Sequence, residues 1–362
     1  MRFITPKTET LQEYNYKSYL FNLSYSYLGG ALKRILAYLE WFDKHGGSCF
    51  ALNSRLKGIE KKFPNNHYCF VRQNPTAKVF NYSSRLNQFI SDIGKIDFYY
   101  SYGIPLPCKV GRVNWLHIGN VLPFVGLGYV SFKRSLELKL LGLLIKKSMR
   151  YADIISAESE FSLSLLDRSF KDKFVVSVNG SDEEISTYKN NLFFNNIENI
   201  AVAVGTCRYK CIDDVYKIYL HLRQSNPDLR LIITGIKEDV PARVQKDNLV
   251  VLCGILPQLD VCNLLKKAKY YITTTIIENS YNAASEGAFL AKESFLSDIG
   301  PHRKLLKNVK YNVINNLNTR VPSLHVHRED MNVNNLKSWD QIIKDIIQIQ
   351  RSHYTCQLTD IV

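Results

Sequence analysis

The sequence predicts an α/β protein built from two Rossmann-like, doubly wound domains that face each other across a cleft. Three observations support this architecture. The chain has 362 residues, a length typical of two domains. Apolar residues make up 46% of it, which is enough for two hydrophobic cores. Short apolar runs alternate with amphipathic segments in both halves, a pattern typical of parallel sheets covered by helices.

The first half of the chain contains apolar runs that predict strands. They read MRFIT, SCFALN, IDFYYSYG, RVNWLHIG, ADIISAES and KFVVSVNG. The segment GGALKRILAYLEWFDKHGG predicts a helix that opens at Gly29 and Gly30 and closes at Gly46 and Gly47. A shorter helix is predicted for EFSLSLLDRSF. Together these elements form a predicted first domain, residues 1–182.

The second half repeats the pattern after a polar stretch. Residues 183–199, rich in Asn, are interpreted as a linker or hinge. The second domain, 200–340, has strands predicted at IAVAVG, LRLIITG, LVVLCG, KYYITTTII and ESFLSD, and helices at IDDVYKIYLHLRQS and QLDVCNLLKKA. A long helix with isoleucines at helical spacing comes last. Residues 341–362 are expected to form a C-terminal helix and tail that can cross back to the first domain.

The charge balance narrows the class of partner. The chain carries 47 basic and 33 acidic residues, a formal net charge of +14. Such a surplus attracts anions, so the candidate partners are nucleic acid, an anionic membrane surface and a phosphorylated substrate. A solvated basic surface without a specific partner is the bland interpretation. Because the sequence shows no helix-turn-helix, zinc-finger or RRM signature, we expect no nucleic-acid partner.

Cysteine usage and the N-terminus indicate the compartment. The eight cysteines form no C-x-x-C pair. Cys207 and Cys211 have no histidine or cysteine cluster beside them, so no metal site is predicted. Their scatter is typical of a reducing compartment. The segment MRFITPKTET lacks the apolar core of a signal peptide, and no apolar run is long enough to span a membrane. We therefore expect a cytoplasmic protein.

The segment SLELKLLGLLIKKSMR, Ser135 to Arg150, has two interpretations. Its leucines and isoleucine are interrupted by Lys139, and its C-terminal end is basic. An amphipathic helix with a basic end can lie on an anionic membrane surface. A helix packed on a sheet gives the same pattern, and we favour that interpretation.

Two glutamates follow the predicted strand that ends at Ile277. In open α/β sheets, ligands bind beyond the carboxyl ends of the strands, where Glu278 is expected. Glu286 lies eight residues later, inside a predicted helix. The N-terminus of that helix, with the backbone N–H groups of Asn282 and Ala283, would bind an anion. The carboxylates could then hold a sugar hydroxyl and a ribose. Alternatively, Glu278 caps the helix dipole and Glu286 is a surface residue.

Three other strand ends carry candidate binding residues. Gly205 ends VAVG and is followed by Arg208 and Lys210, a pair of cations that suits a diphosphate or is simply solvated. Gly254 would let a flat base approach the backbone, or is an ordinary turn glycine. His117 ends the strand VNWLH and is expected to face the cleft, either as a structural or as a catalytic residue.

Five segments, in order, resemble the retaining glycosyltransferases of GT-B fold, in particular the large bacterial group called family four. They are the Gly-Gly helix that contains Gly30, RYADIISAESEF, SVNGSD, VGTCRYK and ENSYNAASEGAFLAKESFLSD. The resemblance covers nearly the whole chain. It implies that the first domain holds the acceptor and the second a nucleotide-sugar donor. From the residues alone, Gly30 either lets the backbone approach a phosphate closely or belongs to an ordinary loop and helix cap.

The resemblance also implies roles for the diphosphate-binding residues. Arg208, Lys210 and the Gly205 turn would neutralise the nucleotide diphosphate as it leaves. In this family the leaving diphosphate is thought to help deprotonate the acceptor on the same face of the sugar, which retains the anomeric configuration. No metal and no cofactor are then required, and no clear D-x-D metal motif is present.

The remaining roles concern the sugar, the ribose and the base. The resemblance implies that Glu286 binds the ribose and that Gly254 lies by the base. Glu278 and His117 would contact the donor sugar. The chain has ENSY where the family often has E-G-F-G, and Cys211 where a glycine is usual. These departures concern the identity of the donor sugar more than the reaction.

The expected function is that of a metal-independent, retaining hexosyltransferase that uses a UDP- or GDP-linked sugar. The family suggests a glycan or undecaprenyl-diphosphate-linked acceptor, bacterial O-antigen, capsule or lipopolysaccharide synthesis, and a peripheral position on the inner face of the cell membrane. One alternative is a nucleotide-sugar 2-epimerase of the same shape, which needs an acid and a base carboxylate in the first domain, where the strand ends offer His117 and few acids. The other alternative is a basic nucleic-acid-binding protein.

Overall fold

A computed structural model describes residues 16–72, 84–125, 128, 130–181, 185 and 196–359. Within these residues the chain forms two seven-stranded sheets, each covered by helices. The predicted strand MRFIT lies outside the described residues, as do most of residues 183–199. Among the described residues, no helix combines the length and the apolar character needed to cross a membrane.

The first sheet is entirely parallel, with strand order β3-β2-β1-β4-β5-β6-β7. Because the order reverses beside β1, helices cover both faces, as a doubly wound sheet requires. Its strands are β1 (Tyr19–Asn22), β2 (Cys49–Asn53), β3 (His67–Val71), β4 (Phe98–Tyr102), β5 (Val113–Ile118), β6 (Ile154–Ala157) and β7 (Phe174–Val176). The four-residue β1 and the mixed polar run of β3 were not predicted from the sequence.

The helices of this half are α1 (Gly29–Lys44), α2 (Ser84–Ile93), α3 (Phe132–Ser148) and α4 (Glu160–Ser164). The predicted helix EFSLSLLDRSF is wrong in its second half, because the α-helix ends at Ser164 and a 3₁₀ helix follows at Arg168–Lys173. Asp167 accepts a hydrogen bond from the Ser169 amide and caps that new start. Such capping by an aspartate competes with continuation of the first helix.

The second sheet has the order β10-β9-β8-β11-β12-β14-β13. Its strands are β8 (Glu198–Val204), β9 (Arg230–Thr234), β10 (Val250–Gly254), β11 (Ala268–Thr273), β12 (Glu293–Ser297), β13 (Asn312–Ile314) and β14 (Ser323–His327). β14 runs antiparallel to both β12 and β13. β13 and β14 follow one another along the chain without a helix between them, so the alternation of strand and helix did not predict them.

The helices of the second half are α5 (Ile212–Ser225), α6 (Ala242–Gln245), α7 (Gln258–Lys267), α8 (Asn282–Leu290), α9 (Gly300–Leu305) and α10 (Trp339–Thr359). The predicted strand that ends at Ile277 is too long, since β11 stops at Thr273. The Thr274 hydroxyl donates to the Lys210 and Cys211 carbonyls, both at 2.9 Å, and so draws the chain out of the sheet. Glu278 therefore lies in a loop between β11 and α8.

The long helix α10 packs on the first domain. The Trp41 indole N–H donates to Asp340 at 2.9 Å, and the Tyr19 hydroxyl donates to Gln350 at 2.8 Å. Buried apolar side chains of α10 join a cluster that includes core residues of both halves. The burial of this face of α10 ties the two domains together through the hydrophobic effect.

We predict that Gly180→Ala destabilises the protein. A methyl group at Gly180 would lie 2.5 Å from the Trp339 ring, where α10 begins. Overpacking of this kind costs about 1–3 kcal/mol of unfolding free energy. Gly300→Ala is the control, because its methyl group would meet the nearest atom, of Phe161, at 3.8 Å. Equal urea midpoints for the two variants would contradict the packing of α10 described above.

Candidate functional site

A cavity of about 410 Å³ lies between the two domains. The first domain contributes residues that follow β1, β4, β5, β6 and β7, and the second contributes the loop after β11 and the start of α8. Among the lining residues are Gly30, Tyr102, Glu158, Asn179, Glu278, Asn282 and Ala283. The carboxyl ends of the strands thus meet where a doubly wound sheet binds its ligands.

Two helix N-termini reach this cavity from opposite domains. Gly30 and Ala31 of α1 line one side, and Asn282 and Ala283 of α8 line the other. No side chain caps the first turn of either helix. A Cβ atom at Gly30 would lie 3.1 Å from the Asn282 amide nitrogen, so the missing side chain lets the helices approach. Uncapped N–H groups and two helix dipoles favour an anion at this point.

Glu278 lines the cavity and forms an ion pair with Lys210. The lysine stem crosses Gly205, whose φ of +85° suits glycine, and a Cβ there would lie 3.6 Å from the Lys210 Cε. The structure therefore brings together the lysine predicted for the diphosphate and the glutamate predicted for the sugar. Lys210 is a neighbour of the cavity without lining it.

Glu286 does not line the cavity. It is buried in α8, and its carboxylate lies 2.5 Å from the Lys33 ammonium of α1. This ion pair joins the two domains directly behind the helix N-termini. Lys33 was not singled out from the sequence, because a lysine inside an amphipathic helix carries no signal of its own.

Arg208 and Gly254 lie apart from the main cavity. Arg208 lines a smaller cavity of about 320 Å³ with Thr206 and Arg320, and donates to the Gly128 carbonyl at 3.3 Å. The two cations expected on one diphosphate thus lie apart, because Arg208 lines the smaller cavity whereas Lys210 pairs with Glu278 beside the main one. Gly254 ends β10 with φ of +73° and accepts a hydrogen bond from the Gly235 amide, which supports the reading as a turn glycine.

His117 corrects the expectation that its side chain faces the cleft. It is fully buried, with its ring stacked on those of Tyr100 and Tyr102 at 5.8 and 5.2 Å. Its Nδ1 lies 2.7 Å from the Ser156 hydroxyl, and its Nε2 lies 3.7 Å from the Glu158 carboxylate. Burial holds the pKa of His117 well below its usual range, so the ring is neutral. Tyr102 and Glu158 line the cavity and form what we call the floor of the cleft, and the His117 ring packs beneath them.

A buried arginine organises that floor. Arg34 of α1 is fully buried, and its guanidinium donates to Asn179 at 2.6 Å and to the hydroxyls of Tyr38 and Tyr100 at 3.0 Å. It also lies 3.4 Å from Glu158. The sequence does carry a signal for this residue, since Arg34 shares the helix face of the buried Ile35, Tyr38 and Phe42.

Glu158 is a first-domain carboxylate that the strand ends did not reveal. It follows β6, is only 4% exposed and lines the cavity. Burial raises its pKa to about 7, although the Arg34 guanidinium partly offsets that effect. A carboxyl group that titrates near neutrality beside a cavity can exchange a proton with a bound hydroxyl.

The loop that carries Glu278 also touches the first domain. The Asn279 side-chain amide donates to the Ile118 carbonyl at the end of β5, at 3.1 Å. The Ser162 hydroxyl of α4 donates to the Asn279 carbonyl at 3.4 Å. One side of the cavity is therefore closed by contacts between the domains.

Solved structures share this arrangement of two domains around a cleft. A glycosyltransferase of Rickettsia africae is similar with a TM-score of 0.61 and 13% identity, covering 94% of this chain and 99% of that one. Sucrose-phosphate synthase of Thermosynechococcus elongatus gives a TM-score of 0.64 and 11% identity, with coverages of 93% and 99%. HepE of Anabaena, in complex with UDP and glucose, gives 0.52 and 14%, with coverages of 80% and 83%. The chain has the GT-B fold.

In GT-B terms, the cavity is the cleft between the two Rossmann-like domains, and α1 and α8 are the helices whose N-termini meet there. The predicted fold class is confirmed. No protein-family model and no curated protein matches the sequence. The likeness to these solved structures, at identities of 11–14%, is a likeness of fold.

We predict a pH-dependent effect of Glu158→Gln on stability. The folded-state pKa of Glu158 is raised to about 7. The contribution of Glu158 to stability is therefore fully present below the ordinary pKa of a glutamate and is lost as the pH rises through 7. The unfolding free energy of the wild type, relative to Glu158→Gln, should fall by up to about 3 kcal/mol from pH 4.5 to pH 7.5. Urea titrations across this range measure it.

Glu137→Gln is the control for this series, because Glu137 is 42% exposed and pairs with Arg134 on the surface of α3. Its difference from the wild type should show little pH dependence. A pH-independent difference for Glu158→Gln would mean that Glu158 ionises normally in the folded protein.

Proposed function

We propose that the protein is a glycosyltransferase that transfers a hexosyl group from a nucleotide-diphosphate sugar to a glycan or lipid-linked oligosaccharide. The observation that carries the proposal is the convergence of two uncapped helix N-termini on one cleft, beside Lys210. This arrangement suits a diphosphate. HepE, a protein of similar fold, binds UDP and glucose, which supports a UDP-linked donor. A GDP-linked donor is the alternative.

The proposed reaction breaks the bond between the anomeric carbon and the diphosphate oxygen, and forms a bond from that carbon to the acceptor oxygen. The acceptor proton passes to the departing diphosphate on the same face of the sugar, so the anomeric configuration is retained. The α1 and α8 N–H groups and Lys210 stabilise the charge that develops on the leaving group. This scheme calls on neither a cofactor nor a metal ion at the cleft.

The other site residues take supporting roles in this scheme. Glu278 accepts hydrogen bonds from hydroxyl groups of the donor sugar, and Lys210 holds its carboxylate in place. Glu286 is assigned to the ribose, and because its carboxylate pairs with Lys33 and does not line the cavity, this contact requires the ribose hydroxyls to replace the lysine. Arg208, which faces the smaller cavity, contacts the nucleotide from the outer side. His117 positions the floor of the sugar site through Glu158 and Tyr102.

The two faces of helix α3 favour an acceptor at a membrane surface. One face packs Leu138, Leu141 and Ile145 into the first domain, and Leu141 and Ile145 also line the cleft cavity. The opposite face exposes an apolar stripe at helical spacing: Phe132, Leu136, Leu140 and Leu143, which are 83%, 63%, 44% and 65% exposed. Lysines 133, 139, 146 and 147 lie along this stripe.

An exposed apolar stripe with flanking lysines suits the interface of an anionic membrane. Because the other face of α3 borders the cavity, such docking would bring a lipid-linked acceptor close to the donor. We therefore propose peripheral attachment to the inner face of the cell membrane. An undecaprenyl-diphosphate-linked acceptor of O-antigen, capsule or lipopolysaccharide synthesis fits this position.

The second candidate function is a nucleotide-sugar 2-epimerase. Glu158 favours it, because a carboxyl group in the first domain that titrates near neutrality could move a proton at carbon two. The discriminating measurement is incubation of a bound nucleotide sugar in D₂O without acceptor. Deuterium at carbon two of the sugar would establish epimerisation, and its absence together with acceptor-dependent release of UDP would establish transfer.

We predict that Lys210→Met weakens binding of UDP. Loss of a charge-assisted contact to a diphosphate costs about 1.5–3 kcal/mol, so the Kd should rise roughly 10- to 100-fold. Isothermal titration calorimetry with UDP and GDP on the wild type and variant measures it. Lys44→Met is the matched control, because Lys44 pairs with Glu40 on the exposed end of α1. Absence of nucleotide binding by the wild type would overturn the proposed function.

We predict that the full chain binds vesicles of anionic phospholipid and that Leu136→Glu/Leu143→Glu weakens this binding. Each leucine is worth roughly 1.5–3 kcal/mol when it is fully buried, so the double variant should bind at least tenfold more weakly. Sedimentation with the vesicles measures the bound fraction. Leu220→Glu on α5, where Leu220 is 40% exposed, is the control.

The outcomes of this assay separate the candidate partners. Equal binding by the wild type and the double variant would mean that the stripe on α3 is not the membrane contact. Binding to DNA that persists at high salt, without vesicle binding, would support the nucleic-acid alternative instead.

A further inference from the structure

The end of the second domain that points away from the cleft carries a cluster of two histidines and a glutamate. His325 and His327 alternate on β14, so their side chains lie on the same face of the sheet. Glu293 opens the neighbouring strand β12 and is the direct cross-strand partner of His327. β12 ends at Ser297 on the cleft side, so this cluster is separate from the nucleotide site.

The three side chains point toward one another. The His325 Nε2 lies 2.9 Å from the Glu293 carboxylate, and the His325 and His327 rings are 4.9 Å apart. One ligand atom from each of the three residues lies within 4.8 Å of the other two. Phe295, beside Glu293 on β12, stacks on the His325 ring at 4.5 Å and fixes its orientation. The cluster thus stands on two paired strands, which hold ligands more rigidly than loops do.

We propose that Glu293, His325 and His327 bind a divalent transition-metal ion, with Zn²⁺ as the best fit. Two imidazole nitrogens and one carboxylate oxygen form a ligand set that suits Zn²⁺, Ni²⁺ and Cu²⁺, whereas Mg²⁺ and Ca²⁺ prefer oxygen ligands alone. Three protein ligands leave at least one coordination position for water. Binding would draw the three ligand atoms, now within 4.8 Å of one another, toward a common centre.

The proposed site goes beyond a hydrogen-bonded pair. The contact between His325 and Glu293 uses two of the residues and leaves His327, which is exposed, without a role in it. A metal ion would use all three. It would fasten β14 to β12 at the antiparallel edge of the sheet, so its effect is on stability rather than on transfer at the cleft.

The sequence signal for this site is the H-x-H spacing within a strand, as read in SLHVH. Because β14 was not predicted as a strand, the two histidines were not placed on one face. The third ligand comes from a residue 32 positions earlier, which only the β12–β14 register brings alongside. The expectation of no metal site rested on the lack of a cluster beside Cys207 and Cys211 and on the absence of a clear D-x-D motif, and neither criterion concerns an H-x-H pair on a strand.

The test is calorimetric titration of the metal-free full chain with ZnCl₂ at pH 7.5. We expect a wild-type site that His327→Ala weakens at least tenfold, because one of three ligands is lost. His327 is exposed, so this substitution should leave folding intact. His67→Ala, which removes an exposed histidine of β3 in the other sheet, is the matched control and should bind as the wild type does. Zn²⁺ should raise the Tm of the wild type and of His67→Ala more than that of His327→Ala.

Cobalt spectra show which atoms bind the ion. Coordination by nitrogen and oxygen gives weak visible bands without the strong near-ultraviolet absorption of a cobalt–thiolate bond. Thiolate absorption would place the ion at an exposed cysteine such as Cys108 or Cys207 and would overturn the proposal. Equal Zn²⁺ affinity in His327→Ala and the wild type, or no binding by either, would also overturn it. Nucleotide binding should be the same in His327→Ala and the wild type.

Discussion

The fully buried guanidinium of Arg34 is the constraint on which the floor of the cleft depends. A charge taken out of water is tolerated only where its donors are satisfied and an opposite charge is near. The surrounding strands and loops supply these partners from β4, from the residue after β6 and from Asn179 beyond β7. The position of α1 relative to the sheet therefore follows from this network, and with it the position of the helix N-terminus that opens the cleft.

The same helix makes the charged contact between the domains. Lys33 is adjacent to Arg34 but points the opposite way, to Glu286 in α8. Arg34 thus contacts the interior of the first domain, whereas Lys33 contacts the second domain. A change in the tilt of α1 would disturb both the buried network and the meeting of the two helix N-termini. The geometry of the candidate site and the packing of the first domain are for this reason coupled.

The sequence predicted the parallel strands well where an apolar run, a turn and an amphipathic helix followed one another. It missed the short strand β1 and the partly polar strand β3, and it failed where the alternation of strand and helix broke, at β13 and β14, and where the chain leaves the sheet at Thr274. Lys210, which follows the Gly205 turn, and Asn282, which begins a predicted helix, were identifiable as candidates from their places in the motifs. Glu158 and Lys33 were not, because burial and contacts between distant segments are set by the tertiary fold. Arg34 was not singled out either, although it shares a helix face with buried apolar residues. His117 shows the converse, since a strand-end position did not place its side chain in the cleft.

The docking of α10 on the first domain has a consequence for how the molecule is made. Tyr19 and its hydrogen-bond partner Gln350 are separated by 331 residues. Trp41 likewise bonds to Asp340 of α10 and is covered only when that helix docks. During synthesis, the second domain must emerge from the ribosome before this face of the first domain can close. Long-range contacts of this kind slow folding and leave apolar surface exposed in the meantime. The nascent first domain thus keeps this apolar face uncovered until the last helix arrives.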